Sequence, residues 1–539
     1  MRHMRRWQQL ARDWGRRAPL AAALSLLAAA STACVDERVV FRDAPRFEQP
    51  TAQALNFVGY RDTATKATVC GSCHIGAQTQ WAQTGHADAW RTLANSPARQ
   101  QFCENCHAVT GLGNNATAAN AGWATTRDLR YKDVQCEACH GPGLGHSTNP
   151  TTANRPLASI AADTGRRDGC AGCHNSGHHP FTSEWRLSGH GAMQYWSATG
   201  PNTRPECQSC HTGQGALAMY GVNARSSYRE EVTGAITAAN AQRITCAVCH
   251  DPHAGDIGRQ TATQGGRAHS SQLRLPIDVP DENRNLCMTC HHKRAVPDLG
   301  TAGTATRGAH SPEGPLLLGD AGWWPPGMEV PGGLARIETT HGSRANPRLC
   351  AGCHIEKYQV TDSLTRQTIG VTGHRFLAIP CVDARGVPTR DQSCTALTQR
   401  RFTNCATSGC HATEAVARSL LAVADQRITT QSTRLKAMLA DPRARAAISS
   451  TDTRFTVAEG AQFNTTLADK PGSETHNPFL VEALLNASIT AVSREYGIPL
   501  PAGLDLRNTM LERALRSAPA VAAAPAPRAA ATTTSGGSR

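Results

Sequence analysis

The sequence predicts a mainly α fold with extensive loops, built as an array of repeated segments and followed by a C-terminal helical segment. Three observations predict it. The pattern Cys-x-x-Cys-His recurs eight times. Aromatic residues make up only 5% and hydrophobic residues 40% of the 539-residue chain, which is lean for a large apolar core. The 47 Gly and 30 Pro imply many turns between short helices.

The copies are Cys70/Cys73/His74, Cys103/Cys106/His107, Cys136/Cys139/His140, Cys170/Cys173/His174, Cys207/Cys210/His211, Cys246/Cys249/His250, Cys287/Cys290/His291 and Cys350/Cys353/His354. Shuffled order would give roughly 0.03 copies, so the repetition is not accidental. Two thiols three positions apart can form thioethers to the vinyl groups of one haem, and the next histidine then binds its iron, which is the attachment signature of haem c. A zinc knuckle also uses Cys-x-x-Cys, but zinc does not require a histidine after every second cysteine. Each porphyrin brings a large apolar face, so stacked haems can serve as the core and the protein as their wrapping.

With these motifs the chain resembles the multihaem c-type cytochromes. The stretch Cys136-Glu137-Ala138-Cys139-His140-Gly141-Pro142-Gly143, with His146 after it, resembles the group that includes the tetrahaem cytochrome of the hydroxylamine pathway and many exported respiratory cytochromes. The resemblance covers about residues 55 to 411. It implies haem c attachment strongly and the redox partner only weakly.

In chain order, residues 1–33 read as a signal peptide. Arg2, Arg5, Arg6, Arg12, Arg16 and Arg17 precede the mostly apolar stretch Ala18 to Ala30, which is too short for a membrane span. The pair Arg5-Arg6 does not indicate the twin-arginine route, because haem is attached after export. Cys34 follows small residues and is a candidate lipid anchor, with simple cleavage beside an incidental cysteine as the alternative. Residues 34–69 form a tether and residues 70–293 a seven-haem repeat array. Its first cysteines are separated by 33, 33, 34, 37, 39 and 41 residues, steps too short to bury a haem alone.

Residues 294–411 hold a Gly/Pro-rich insertion with Trp323-Trp324-Pro325-Pro326 and two further haem sites. One is the eighth motif. The other is Cys405/Cys410/His411, the same motif with four residues between the cysteines, a widened spacing similar to that of the small tetrahaem cytochromes of sulfate reducers. The expected cofactor is therefore haem c in nine copies, or eight if Cys405 and Cys410 form a disulfide. With nine, Cys381 and Cys394 are left to close a short loop; otherwise the four cysteines make two disulfides. Residues 412–516 carry apolar positions at helical spacing, including Val416, Leu420, Leu421, Val423, Leu435, Met438 and Leu439, and read as a helical cap or docking segment. Residues 517–539 are Ala/Pro/Thr/Ser/Gly-rich and read as a disordered tail.

Each iron's second axial ligand decides between a wire and an enzyme. Apart from His3 and the nine motif histidines, 12 histidines remain for nine irons. His86, His146, His190, His253, His310 and His374 are the leading candidates. Several of them sit in Thr-Gly-His, Ser-Gly-His or Cys-His-Asp-Pro-His contexts that resemble the family's distal sites. His269, His341 and one of His178 and His179, taken as His179, complete the set, ahead of His292 and His476. Iron with two histidines is low-spin and has no place for substrate.

The expected function is electron transfer by hopping from haem to haem, in a respiratory or extracellular chain. The rival is a multihaem oxidoreductase acting on nitrite, hydroxylamine or tetrathionate at one open iron. Pentahaem nitrite reductases often mark that haem with Cys-x-x-Cys-Lys, which does not occur here. The site at His211, with no further histidine between His190 and His250, is the sequence's best place for such an opening.

The formal charge of +13 includes six Arg and one Asp in residues 1–33. Removing these leaves a surplus of eight, and nine ferric haems at about −1 each cancel it. Nucleic-acid binding is a poor reading, since no basic run is interleaved with aromatics. Expected partners are redox donor and acceptor proteins, with a homo-oligomer or filament as a further form. The expected location is the periplasm, the outer membrane or the cell surface.

Overall fold

Each Cys-x-x-Cys-His motif folds as a short helical turn. The computed structural model describes residues 50–517, apart from 163–167, 176–178, 193–196, 198, 223–226, 254–260, 265–266, 271, 300–306, 329–335, 408–409, 450 and 452–453. The expected signal, Cys34 and nearly all of the tail lie outside the described residues, as does His178. In five motifs the histidine N–H donates to the carbonyl of the first cysteine: His74 to Cys70, His174 to Cys170, His250 to Cys246, His291 to Cys287 and His354 to Cys350, at 2.8–3.1 Å. That closure spans one helical turn, so the first thiol, the second thiol and the imidazole share one face. His411 N–H reaches the Cys405 carbonyl at 3.2 Å across the wider motif, so the same kind of closure survives there.

Between these turns the chain forms short antiparallel hairpins: β1 (Tyr60–Asp62) with β2 (Ala67–Thr68), β3 (Thr261–Gln264) with β4 (Arg267–Ser270), and β5 (Tyr358–Thr361) with β6 (Thr368–Val371). Side-chain packing in this part is local. One small cluster gathers Ala54, Phe57, Ala108, Val109, Ala121, Trp123 and Tyr131. Helix α1 (Cys136–His140) is tied to it through Glu137. The buried Glu137 carboxylate accepts from the backbone N–H groups of Val58 at 2.9 Å, Gly59 at 2.7 Å and Gly143 at 2.7 Å. The glutamate of the Cys-Glu-x-Cys-His-Gly-Pro-Gly stretch thus fastens its motif turn both to the start of the array and to the Gly-Pro-Gly bend.

The largest apolar core lies elsewhere. Helices α2 (Glu313–Leu318), α3 (Glu414–Leu439), α4 (Val457–Ala468) and α6 (Pro478–Tyr496) supply it, together with the inserted segment, and the short α5 (Ser473–His476) follows α4 in the chain. Ala295, Ala309, Leu316, Ala321 and Ile337 of the insertion pack with Ile428, Leu435, Phe463, Leu480, Leu484 and Ile489. The insertion and the C-terminal helices therefore share one core across the expected boundary at residue 412.

Local chemistry sets the helix ends. Thr413 caps α3 by accepting from Val416 N–H. Thr456 and Glu459 form a reciprocal capping box on α4. Asn477 caps α6 by accepting from Leu480 N–H, ahead of Pro478 in the first turn. Asn477 also donates to the carbonyls of Leu316 and Ile337, at 3.1 and 2.9 Å, and Asn464 exchanges two hydrogen bonds with the Trp323 backbone. These asparagines satisfy insertion backbone that would otherwise be buried unpaired.

The apolar positions in the first half of α3 do not all face inward. Val416, Leu420 and Val423 are 43%, 51% and 43% exposed, and Ala417, Ala424 and Ile428 turn inward instead. Alanine lets α3 approach its neighbours closely, whereas larger side chains would hold it off.

Candidate haem sites

The motif turns leave 18 free thiols among the described residues, and they are the 18 motif cysteines. Cys381 and Cys394 form a disulfide. Cys405 and Cys410 stay unbridged to each other, so the two-disulfide alternative is not the arrangement found.

Facing the turns, histidines come together in twos. Ring centroids are 6.4 Å apart for His74 and His146, 5.9 Å for His140 and His253, and 6.2 Å for His174 and His179. They are 6.2 Å apart for His190 and His291, for His211 and His310, and for His341 and His411. His250 and His374 stand at 6.3 Å, and His354 and His476 at 6.1 Å. His86 lies 6.2 Å from His174, and burial, with a smaller contribution from nearby His107, lowers its protonation.

These separations test whether haem fits. Two imidazoles on opposite sides of one iron, each nitrogen about 2 Å from the metal, have ring centres roughly 6.3 Å apart. Direct ring stacking would bring them closer, and unrelated surface histidines would not repeat one spacing. Among the described residues no group of three or more His, Cys, Asp or Glu is arranged to hold a bare metal ion. Imidazoles in twos, with a pair of thiols beside one of them, suit an iron that brings its own macrocycle.

Protonation favours the same role. Burial and neighbouring imidazoles push His174 down to about 3, and they push His190, His374 and His476 down to about 4. Such rings are neutral at ordinary pH, the form that binds a metal. Several rings are held through Nδ1. The Nδ1 atoms of His107, His140, His341 and His354 contact the backbone carbonyls of Ala89, Pro156, Thr475 and Phe376 at 2.7–2.8 Å. His291 Nδ1 instead meets Glu313 Oε2 at 3.2 Å.

The sequence-derived candidates divide clearly. His86, His146, His179, His190, His253, His310, His341 and His374 each lie near a motif histidine. His269 sits on β4, opposite Ala262. The ring facing His354 belongs to His476, which had ranked last. Its position, far along the chain from every motif, gave no signal; only packing of the C-terminal helices brings it near. His310 comes from the insertion to face His211, the site that looked open from local sequence.

Thiols of different motifs also meet. The thiols of Cys70 and Cys136, Cys106 and Cys173, Cys170 and Cys246, Cys210 and Cys290, and Cys287 and Cys350 lie close enough to influence each other's titration. Cys139 lies within electrostatic range of Cys170, Cys249 of Cys287, and Cys353 of Cys405 and Cys410. The imidazoles repeat this neighbour relation: His140 with His74, His174 with His250, His211 with His291, and His476 with His341.

Comparison with known proteins agrees with the motif chemistry. Residues 69–141 match the family model described as cytochrome c554 and c-prime. The multiheme cytochrome MtrA of Shewanella baltica (strain OS185) is 27% identical over 223 residues, covering 38% of this chain and 56% of that protein. The aligned part thus spans only about half the length of that curated relative. A solved structure, that of outer cell wall cytochrome OcwA, is similar with a TM-score of 0.48 and 17% identity, covering 81% of this chain and 100% of that one.

Proposed function

We propose that the chain is a multihaem c-type cytochrome, an electron carrier with nine haem sites, each closed on both faces by histidine. The observation that carries this is the pairing of the imidazoles. Eight pairs, all at 5.9–6.4 Å, include every motif histidine except His107. His86 is assigned to His107, because His174 has His179 opposite it. The distal set is then His86, His146, His179, His190, His253, His310, His341, His374 and His476, with His476 in place of His269.

Bound haem c supplies one-electron exchange at iron with little rearrangement. The residues fix where that exchange occurs. Thiol and imidazole contacts order the motifs as first, third, fourth, sixth, seventh, eighth and ninth, with the second beside the fourth and the fifth beside the seventh. The arrangement is a branched line, not a sequential stack. The two ends of its main line, at Cys70/Cys73 and Cys405/Cys410, are where donor and acceptor proteins would exchange electrons. Cys73 and Cys410 are the exposed cysteines of the described set.

No described helix is long and apolar enough to cross a membrane. The reading includes export, haem attachment outside the cytoplasm, a lipid at Cys34, and a place in a respiratory or extracellular chain. An oxidoreductase for nitrite, hydroxylamine or tetrathionate would need an iron with one open face. Carbon monoxide added to the reduced protein separates the two. The carrier reading expects no binding at neutral pH, and stoichiometric binding at one iron would favour the enzyme.

A further inference from the structure

The contact between His291 and Glu313 sets the seventh motif apart. Glu313 stands in the first turn of α2, and its Oε2 lies 3.2 Å from His291 Nδ1. The backbone beneath enforces the approach, because Gly314 N–H donates to the His291 carbonyl at 2.9 Å. A side chain on Gly314 would press within 2.9 Å of that same carbonyl and of Met288 Cγ. Glycine therefore lets the helix start sit on the motif turn and hold the carboxylate against the ring. The ring nitrogens of His107, His140 and His354 meet neutral carbonyls instead. His253 has a looser carboxylate neighbour, Asp251, at 3.5 Å and at a more exposed position.

A carboxylate accepting from Nδ1–H makes an imidazole a stronger electron donor than a carbonyl does. A stronger donor stabilises ferric over ferrous iron and lowers the reduction potential. We propose that Glu313 is a positioning residue that, acting through His291, lowers the potential of the haem held at Cys287/Cys290. The proposal rests on the carrier reading, since it requires haem at that motif. The chemistry is a one-electron change at iron, with the electron supplied by a neighbouring site and the proton kept on Nδ1. The motif's place gives the effect its consequence: its thiols lie near those of the fifth, sixth and eighth motifs. A lowered potential there puts an electron step at the junction of the array.

The test is a potentiometric titration of the purified holoprotein, followed by electron paramagnetic resonance, in the parent, Glu313→Gln and Glu313→Asp. Haem content is counted by mass in all three. The expected result is that Glu313→Gln keeps the parent's haem count, moves one low-spin ferric signal and raises the potential of that one step, while Glu313→Asp stays near the parent. Unchanged potentials and signals in a fully loaded Glu313→Gln protein overturn the proposal and leave the carrier reading intact. A Glu313→Gln protein that loses one haem also overturns it, because Glu313 would then be a structural support. A parent protein without haem at Cys287/Cys290 would instead sink the carrier reading.

Discussion

His476 lies 6.1 Å from His354, ring centre to ring centre, and within 17° of parallel. Nearly the whole second half of the fold stands behind this contact. His476 ends α5, and α5 is held by the core that joins the C-terminal helices to the insertion. The C-terminal segment thus brings an imidazole to the eighth motif in addition to packing the fold.

Replacing His476 with Ala should strip the second axial ligand from one iron only. We expect a new high-spin ferric signal from one of nine haems and carbon monoxide binding at that iron after reduction. His269→Ala and His292→Ala should leave the spectrum low-spin. A high-spin signal from His269→Ala with a silent His476→Ala would reverse the assignment.

Glu137→Ala removes the acceptor for the N–H groups of Val58, Gly59 and Gly143. An unsatisfied buried donor costs about 1–3 kcal/mol, so the combined loss should be about 3 kcal/mol or more. Glu137→Gln keeps one oxygen acceptor and should lose less. Denaturant unfolding followed by far-ultraviolet dichroism measures both, and an alanine variant as stable as the parent would contradict the bracing role.

Gly460 lies inside α4, where alanine would ordinarily stabilise a helix by about 1 kcal/mol. Here a Cβ would stand 2.1 Å from Trp323 Cδ2. Gly460→Ala should therefore destabilise, by roughly 1–3 kcal/mol, and Trp323→Leu in the same chain should recover much of the loss. Thermal unfolding of the single and double variants reads the sign directly.

The two cysteine pairs near the end of the array should respond differently. Cys405→Ser with Cys410→Ser should lower the protein mass by one haem. Cys381→Ser with Cys394→Ser should keep the haem count and reduce stability, since that disulfide spans 13 residues and a loop of that size contributes about 2–3 kcal/mol. Equal haem counts in all variants would remove Cys405/Cys410 from the set of sites.

The motif turns were readable because their chemistry is local: two thiols and an imidazole within one turn declare themselves in five residues. Short local contexts had marked most of the histidines that lie near a motif histidine. His476 and Glu313 were not marked, since each is delivered by a helix whose position depends on the shared C-terminal core. The buried face of α3 was likewise not written in its spacing. Spacing reveals a helix, but the choice of inward face was made by the alanines its neighbours could accommodate. The link between the insertion and the C-terminal helices rests on Asn464 and Asn477, whose long-range hydrogen bonds have no sequence signature.

The most direct test is the intact mass of the purified full-length protein, compared with that of its polypeptide alone. An excess of nine haems, bound without reduction or extraction, is the predicted result. A colourless chain at its bare polypeptide mass, or one carrying zinc at the Cys-x-x-Cys-His turns, would contradict the account at its root.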